Sequence, residues 1–151
     1  MIELSDLPQV SESLPWHTRE LNQFAAQLAE RRLPHALLLA GRQLTGKSQL
    51  ALAMSRLLLC SQPEKLLNCG LCHSCELSAK GNHGDLRWVE PGKNSRAIKI
   101  EQIRELVPFT SATAGLGSRK VIVITPANRM NSNAFNALLK LLEEPPPDTY
   151  I

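Results

Sequence analysis

Apolar side chains recur at helical spacing in the N-terminal half of the chain. Residues 17–32 and 46–59 both place them at positions i, i+3, i+4 and i+7, which predicts two amphipathic helices. Pro34 ends the first helix, because proline lacks the N–H group that a helix interior needs. The two stripes are Leu21, Phe24, Ala25 and Leu28, and Leu50, Ala53, Met54 and Leu57.

The C-terminal half shows the same spacing twice. A third helix is predicted around residues 100–107, and a fourth begins at Asn131 or Ser132, both of which are good N-cap residues. Pro145–Pro147 stop the fourth helix. The apolar stripes are Ile100, Ile103, Leu106 and Val107, and Ala134, Leu138, Leu139 and Leu142.

Short apolar runs between these helices predict strands. Residues 35–40 (HALLLA) stop at Gly41 and are typical of a buried parallel strand. Residues 86–90 and the β-branched run at 120–125 predict two more strands. Residues 148–151 resemble the opening of another strand, so we expect the domain to be truncated on that side. Strands that alternate with helices indicate an α/β fold of three layers, with helices on both faces of a parallel sheet.

The composition adds limits on class and compartment. The 151 residues fit one domain, residues 1–151, and the net charge of +3 comes from scattered basic residues, which permit nucleic-acid contact without demanding it. No apolar run is long enough to span a membrane, and the acidic, polar N-terminus does not look like a secretion signal. We therefore expect a cytoplasmic protein, in which clustered cysteines stay reduced and act as metal ligands.

A phosphate-binding motif follows the first predicted strand. The run Gly-Arg-Gln-Leu-Thr-Gly-Lys-Ser matches G-x-x-x-x-G-K-[ST] in full, between an apolar strand and a helix. The loop from Gly41 through Thr45 and Gly46 would point backbone N–H groups at phosphate oxygens. Lys47 would reach the β- and γ-phosphates, and the Ser48 hydroxyl would ligate Mg²⁺. The alternative is a glycine-rich turn with an incidental Lys-Ser pair.

The acid that hydrolysis needs is missing from its expected place. In phosphate-loop ATPases an acidic residue after a second apolar strand helps to hold Mg²⁺. Here the β-branched strand is followed by Thr125 and Pro126. Asp85 is another acidic candidate, while Glu143 and Glu144 are expected at a solvated helix end. We therefore predict a site with no catalytic residue, which binds nucleotide and hydrolyses it weakly or not at all.

All four cysteines fall within sixteen residues and predict a metal site. They are Cys60, Cys69, Cys72 and Cys75, spaced C-x8-C-x2-C-x2-C. Four thiolates complete the tetrahedral shell of a structural zinc ion and leave no open position for catalysis. A redox C-x-x-C pair would leave two cysteines without a role, and an iron–sulfur cluster remains compatible with the ligand type. We predict a zinc module inserted at about residues 60–81, with His73 exposed or beside the ligands.

The order of these features resembles the N-terminal AAA+ module of bacterial clamp-loader subunits. The similarity begins at Leu14-Pro15-Trp16 and covers nearly the whole chain, and its most specific segment is NALLKLLEEPP at residues 136–146. The resemblance implies a P-loop NTPase (AAA+) fold with an inserted zinc module. It also implies Zn as a cofactor, ATP with Mg²⁺ as a candidate ligand, and a role in DNA replication.

One departure distinguishes kinds of member within that group. Active motor subunits carry Asp-Glu where this chain has Thr125-Pro126, and in this respect the chain looks like the delta-prime type, a stator that generally does not hydrolyse ATP. The resemblance implies contacts with the gamma/tau and delta subunits of DNA polymerase III, and through them with the sliding clamp and primer-template DNA. The alternatives are an ATP-hydrolysing gamma/tau-type motor and a zinc-containing nucleic-acid-binding module.

Overall fold

The structure is a computed structural model that describes residues 4–151 of the chain. Short 3₁₀ turns at Pro15–His17 and Ala127–Arg129 precede the first and last helices. In chain order the other elements are helices α1 (Thr18–Ala29), α2 (Lys47–Leu59) and α3 (His73–Ala79), strand β1 (Leu86–Val89), helices α4 (Ile100–Arg104) and α5 (Leu106–Ser111), strand β2 (Lys120–Ile124), helix α6 (Ser132–Glu143) and strand β3 (Thr149–Tyr150).

The three strands form one parallel sheet in the order β1–β2–β3. β1 pairs with β2 along its whole length, from Leu86 opposite Val121 to Val89 opposite Ile124. The strands predicted at residues 86–90 and 120–125 are confirmed, each one residue shorter. Because the strands are parallel, their carboxyl ends meet at one edge of the sheet.

The strand predicted at residues 35–40 is wrong as a regular, buried element. The segment runs beside the end of β3, where the Leu37 N–H donates to Ile151 O and the Ile151 N–H donates to His35 O. Leu38 is 83 % exposed. These two hydrogen bonds do not amount to a regular ladder, and no strand pairs with the segment's other side within residues 4–151.

Two apolar cores lie on opposite faces of the sheet. Successive side chains of a strand point to opposite faces, and β2 follows this rule. Val121 packs with the helices α1 and α2, whereas Ile122 packs with α4, α5 and α6. The predicted three-layer α/β arrangement with a parallel sheet is therefore confirmed.

The predicted third helix is interrupted in the structure. It divides into α4 and α5 at Glu105, because Pro108 has no N–H to donate to the carbonyl four residues earlier. Leu106 continues the buried stripe three residues after Ile103, whereas Val107 is half exposed.

Asn131 is the N-cap residue of α6, and its side-chain oxygen accepts a hydrogen bond from the Ala134 N–H at 2.8 Å. Its buried stripe contains Leu138 and Leu141, whereas Leu139 is 37 % exposed. The predicted apolar stripe is therefore wrong at Leu139, since the buried face continues from 138 to 141 at a spacing of three residues.

Internal hydrogen bonds occupy the polar groups at the amino edge of the sheet. The buried Lys120 ammonium donates to the carbonyls of Phe109 and Ala112, at the negative end of α5. The buried Asp85 carboxylate accepts the backbone N–H groups of residues 115–116 at 2.7 and 3.0 Å. The carboxyl edge is therefore the one that carries the candidate nucleotide site.

Candidate functional site

The phosphate-binding loop leads directly into α2. Gly46 is the N-cap residue and has φ +78°, a conformation that costs a residue with a Cβ more than it costs glycine. Leu44, at the loop tip, also has a positive φ and is fully exposed. The predicted loop residues Gly41, Thr45 and Gly46 therefore lie at the N-terminus of a helix, where unpaired N–H groups attract anions.

Lys47 turns back onto the loop. Its ammonium donates to the Gly41 carbonyl at 3.0 Å and also to the Arg42 carbonyl. The Thr45 hydroxyl donates to the same Arg42 carbonyl at 2.9 Å. Carbonyl groups of the loop therefore occupy the Lys47 ammonium, which is the charge that a phosphate group would contact.

The N-terminal segment packs against the loop. The Trp16 indole N–H and the His17 Nε2–H both donate to the Thr45 carbonyl, at 3.1 and 2.8 Å. Leu14 lies so close to Gly46 that an added Cβ would meet its Cδ1 at 2.3 Å. Two donors on one carbonyl and a close apolar contact hold the loop from its outer side.

Thr125 lies at the position where phosphate-loop ATPases carry the acidic residue that helps to hold Mg²⁺. It follows β2 at the carboxyl edge, and its hydroxyl is 3.2 Å from the Ser48 hydroxyl. The structure thus brings together the two side chains that would flank a nucleotide-bound Mg²⁺, but neither is charged. Two hydroxyl groups are weak ligands for Mg²⁺, which prefers carboxylates and phosphate oxygens.

The other acidic candidates lie elsewhere. Asp85 precedes β1 and is therefore about 16 Å from Thr125 along the sheet, at roughly 3.3 Å per residue. Glu143 and Glu144 are exposed at the end of α6, as expected. None of these three carboxylates hydrogen-bonds to the phosphate loop in the described part of the chain.

The four cysteines converge at the other end of α2. All four sulfur atoms lie within 4.8 Å of one another, with Cys60 to Cys72 at 3.9 Å and Cys69 to Cys75 at 4.0 Å. A tetrahedral site with Zn–S bonds of about 2.3 Å separates its sulfurs by about 3.8 Å. The thiols are not disulfide-bonded, so the cluster fits one zinc ion held by four cysteines.

Hydrogen bonds and burial set the state of these thiols. Burial raises the pKa of Cys60 to about 12 and also raises the pKa of Cys75. Burial acts in the same direction on Cys72, but hydrogen bonds from Ser61 and Cys75 together outweigh it and lower the pKa of Cys72 to about 6. A bound dication would displace the remaining protons, since thiolates are its ligands.

Two residues that the sequence reasoning missed contact this cluster. The Asn68 side-chain amide donates to Cys75 Sγ at 3.2 Å. Arg56, on α2, is 1 % exposed and hydrogen-bonds to Ser78 of α3 and to the backbone of residues 8–9. Burial lowers the pKa of Arg56, whereas the neighbouring Cys75 and Cys60 raise it. The sequence did carry a signal: Arg56 is a lone arginine on a helix that is apolar on every side. An arginine in such a place is buried and needs hydrogen-bond acceptors.

The histidines of the module stand outside the metal cluster. The His73 side chain is 68 % exposed and pairs with Glu76 at 3.7 Å, in agreement with its predicted exposure. His83 is buried, accepts the Asp85 N–H and lies 3.0 Å from the Ser74 hydroxyl. Burial lowers the pKa of His83, which keeps the ring neutral at pH 7.

No helix in residues 4–151 has the length and apolar content needed to cross a lipid bilayer.

Comparison with solved structures supports the fold. A DNA polymerase III gamma subunit-related protein from Thermotoga maritima superposes with a TM-score of 0.63 at 23 % sequence identity. The match covers 87 % of this chain and 38 % of that protein. At this level of identity the likeness concerns the fold alone.

Comparison with known sequences shows the family. The family described as DNA polymerase III, delta subunit, matches residues 16–151. DNA polymerase III subunit delta-prime of Pseudomonas aeruginosa is 40 % identical over 142 residues, which cover 94 % of this chain and 42 % of that protein. The same subunit of Escherichia coli is 36 % identical over 136 residues, covering 90 % and 41 %. This chain, which spans about two fifths of the length of these relatives, belongs to the family of DNA polymerase III delta-prime subunits.

Proposed function

We propose that this chain is the AAA+ nucleotide-binding module of a clamp-loader subunit that binds ATP and hydrolyses it weakly or not at all. The observation that carries the proposal is Thr125 beside Ser48, at the position where an ATPase needs an acid. Without that carboxylate, Mg²⁺ would be held by the phosphates, water and neutral hydroxyls, and its charge would be poorly positioned for phosphoryl transfer.

Nucleotide binding is supported by the intact loop. Gly46 has the backbone conformation that the turn needs, and Lys47 and Ser48 begin α2. Lys47 would exchange its two loop carbonyls for phosphate oxygens, so binding replaces existing hydrogen bonds with charge-assisted ones. Gly41, Thr45, Gly46, Lys47 and Ser48 are the proposed phosphate site.

The four-cysteine cluster is proposed as a closed structural zinc site. Cys60, Cys69, Cys72 and Cys75 would supply all four ligands, and the metal would fix the fold of the insertion at about residues 60–81. The proposed domain spans residues 1–151, and no chemistry is assigned to the metal.

The proposed role in the complex follows the family. As a stator in the DNA polymerase III clamp loader, the protein would contact the gamma/tau motor and the delta subunit in the cytoplasm. It would thereby help to place the sliding clamp on primer-template DNA. A gamma/tau-type motor is the competing proposal, because the loop is intact, but Thr125 and Pro126 oppose it.

The first test is nucleotide binding by the full-length protein and its Lys47→Ala variant. We expect wild-type protein to bind ATP by calorimetry, and Lys47→Ala to bind about 10- to 100-fold more weakly, since charge-assisted hydrogen bonds are lost. Lys140→Ala, an exposed lysine on α6, is the matched control and should bind like wild type. No binding by wild type would refute the nucleotide proposal.

The second test separates stator from motor. In a reconstituted clamp loader, Lys47→Ala should slow clamp loading less than the equivalent lysine change in the motor subunit. An equal loss, or ATP turnover by the purified protein as fast as that of the motor subunit, would favour the motor proposal instead.

A further inference from the structure

Arg56 has an unusual position for an arginine. Its side chain is 1 % exposed, in a part of α2 where Leu57 and Leu58 are also buried. Every nitrogen of the guanidinium donates a hydrogen bond. The acceptors are Ser78 Oγ (3.0 Å), Pro8 O (2.6 Å), Ser11 Oγ (2.6 Å), Gln9 O (2.7 Å) and Cys75 O (3.4 Å).

None of these acceptors is a charged group. A buried cation without an opposite charge is costly even when its hydrogen bonds are made. Four thiolates around one Zn²⁺ carry a net charge of about −2, by simple addition of formal charges. Cys75 is both a predicted ligand and an acceptor for Arg56 through its backbone carbonyl. The metal-loaded cluster would therefore supply the negative charge that the neutral acceptors do not.

The same contacts attach the N-terminal segment to the cluster. Asn68 accepts the Ser11 N–H at 2.8 Å and donates to Gln9 O at 2.8 Å and to Cys75 Sγ. Residues 8–11 thus lie between two side chains, Arg56 and Asn68, and both of these also contact Cys75.

We propose that Arg56 is the counter-charge of the four-cysteine zinc site and that it couples metal binding to docking of residues 8–11. The inference rests on the proposed zinc site. Without metal, the guanidinium would face less compensating charge, and the segment that it holds would detach more often. Arg56 acts through the ligands and the segment, so it is a positioning residue that does not bind the metal.

The experiment compares wild-type protein with Arg56→Met and Arg56→Lys, using Zn²⁺ release to a coloured chelator as the first readout. Arg56→Met removes the charge and the donors, and we expect release about 10- to 100-fold faster, as for other residues that support metal ligands. Arg56→Lys keeps the charge but not the planar fork, so it should retain zinc better than Arg56→Met.

The second readout is hydrogen exchange at the Ser11 amide, which is bonded to Asn68. Exchange should accelerate in both variants, and also in wild-type protein after the metal is stripped. That last measurement needs no variant, so the proposal stays testable if Arg56→Met fails to fold.

Arg119→Met is the matched control: Arg119 is also partly buried near the end of α2, and it donates to the Leu58 carbonyl.

The outcomes separate the inference from the zinc proposal. If the wild-type protein bound no zinc, either as purified or when titrated with Zn²⁺, the zinc site itself would be refuted. Normal zinc retention in wild type with unchanged release from Arg56→Met would overturn only the role of Arg56. Equally fast zinc release from Arg119→Met would show that the effect is not specific to Arg56 and would overturn its role. Unchanged Ser11 exchange after metal removal would refute the coupling.

Discussion

The two ends of α2 carry two different kinds of site. At its N-terminus the phosphate loop is exposed, Leu44 is fully accessible, and Lys47 is bonded to carbonyls of its own loop. About 20 Å away, at 1.5 Å per residue, the helix leads into Cys60 and a cluster whose sulfurs already stand at near-tetrahedral separations.

The difference concerns what each site requires from outside the chain. The cysteine cluster contains every ligand that a structural metal needs, and Arg56 and Asn68 support it from the interior. The phosphate loop has a cradle and a lysine, but its neighbour Thr125 supplies no charge. In the proposed functions, the cysteine cluster would therefore need only its ion, whereas the phosphate loop would bind nucleotide without the acid that hydrolysis needs.

The largest expected effect is loss of a metal ligand. Cys75→Ser replaces a thiolate whose residue is 1 % exposed, and we expect zinc content to fall from about one ion per chain to nearly none. Hydrogen exchange should accelerate in α3 and its flanking loops while the β1–β2 ladder stays protected, because the cluster lies in an insertion.

His73→Ser is the matched control on the same short helix and should keep the metal. If Cys75→Ser instead unfolded the sheet, the contrast between a local metal module and the nucleotide-binding core would fail.

A smaller effect is expected at the other end of α2. Gly46→Ala forces a Cβ to within 2.3 Å of Leu14 Cδ1 at a positive φ, and should lower the free energy of unfolding by about 1–3 kcal/mol. Gly92→Ala is the control, because nothing lies within 4 Å of its added Cβ, and should stay within about 0.5 kcal/mol. Denaturant melts of both variants measure this, and equal midpoints would argue against tight packing of Leu14 on the loop.

The smallest effect concerns Mg²⁺. Thr125→Asp places a carboxylate beside Ser48, so Mg²⁺ should strengthen ATP binding about 10-fold more in this variant than in wild type. Thr125→Asn has a similar shape without the charge and should behave like wild type. Calorimetry with and without Mg²⁺ gives the comparison, and a strong Mg²⁺ dependence in wild type would contradict the proposed deficit.

Local sequence patterns were sufficient to predict most of the strands, helices and candidate site residues. Short apolar runs identified β1 and β2, helical spacing identified most helices, and motif spacing identified the loop and the cysteines. The prediction of a buried strand at residues 35–40 was wrong, because apolar composition alone does not say whether a segment pairs with other strands. Arg56 and Asn68 escaped notice because they bond to Ser11, 45 and 57 residues away along the sequence, where no periodicity operates.

The N-terminal segment has a practical consequence for anyone who handles the protein. Residues 8–11 are bonded to the surroundings of the cysteine cluster, and Trp16 and His17 are bonded to the phosphate loop. An affinity tag fused in front of this segment would add bulk next to residues that are hydrogen-bonded to both sites. A tag that disturbed it would lower metal content and nucleotide affinity together, and the defect would be mistaken for an intrinsic property of the protein.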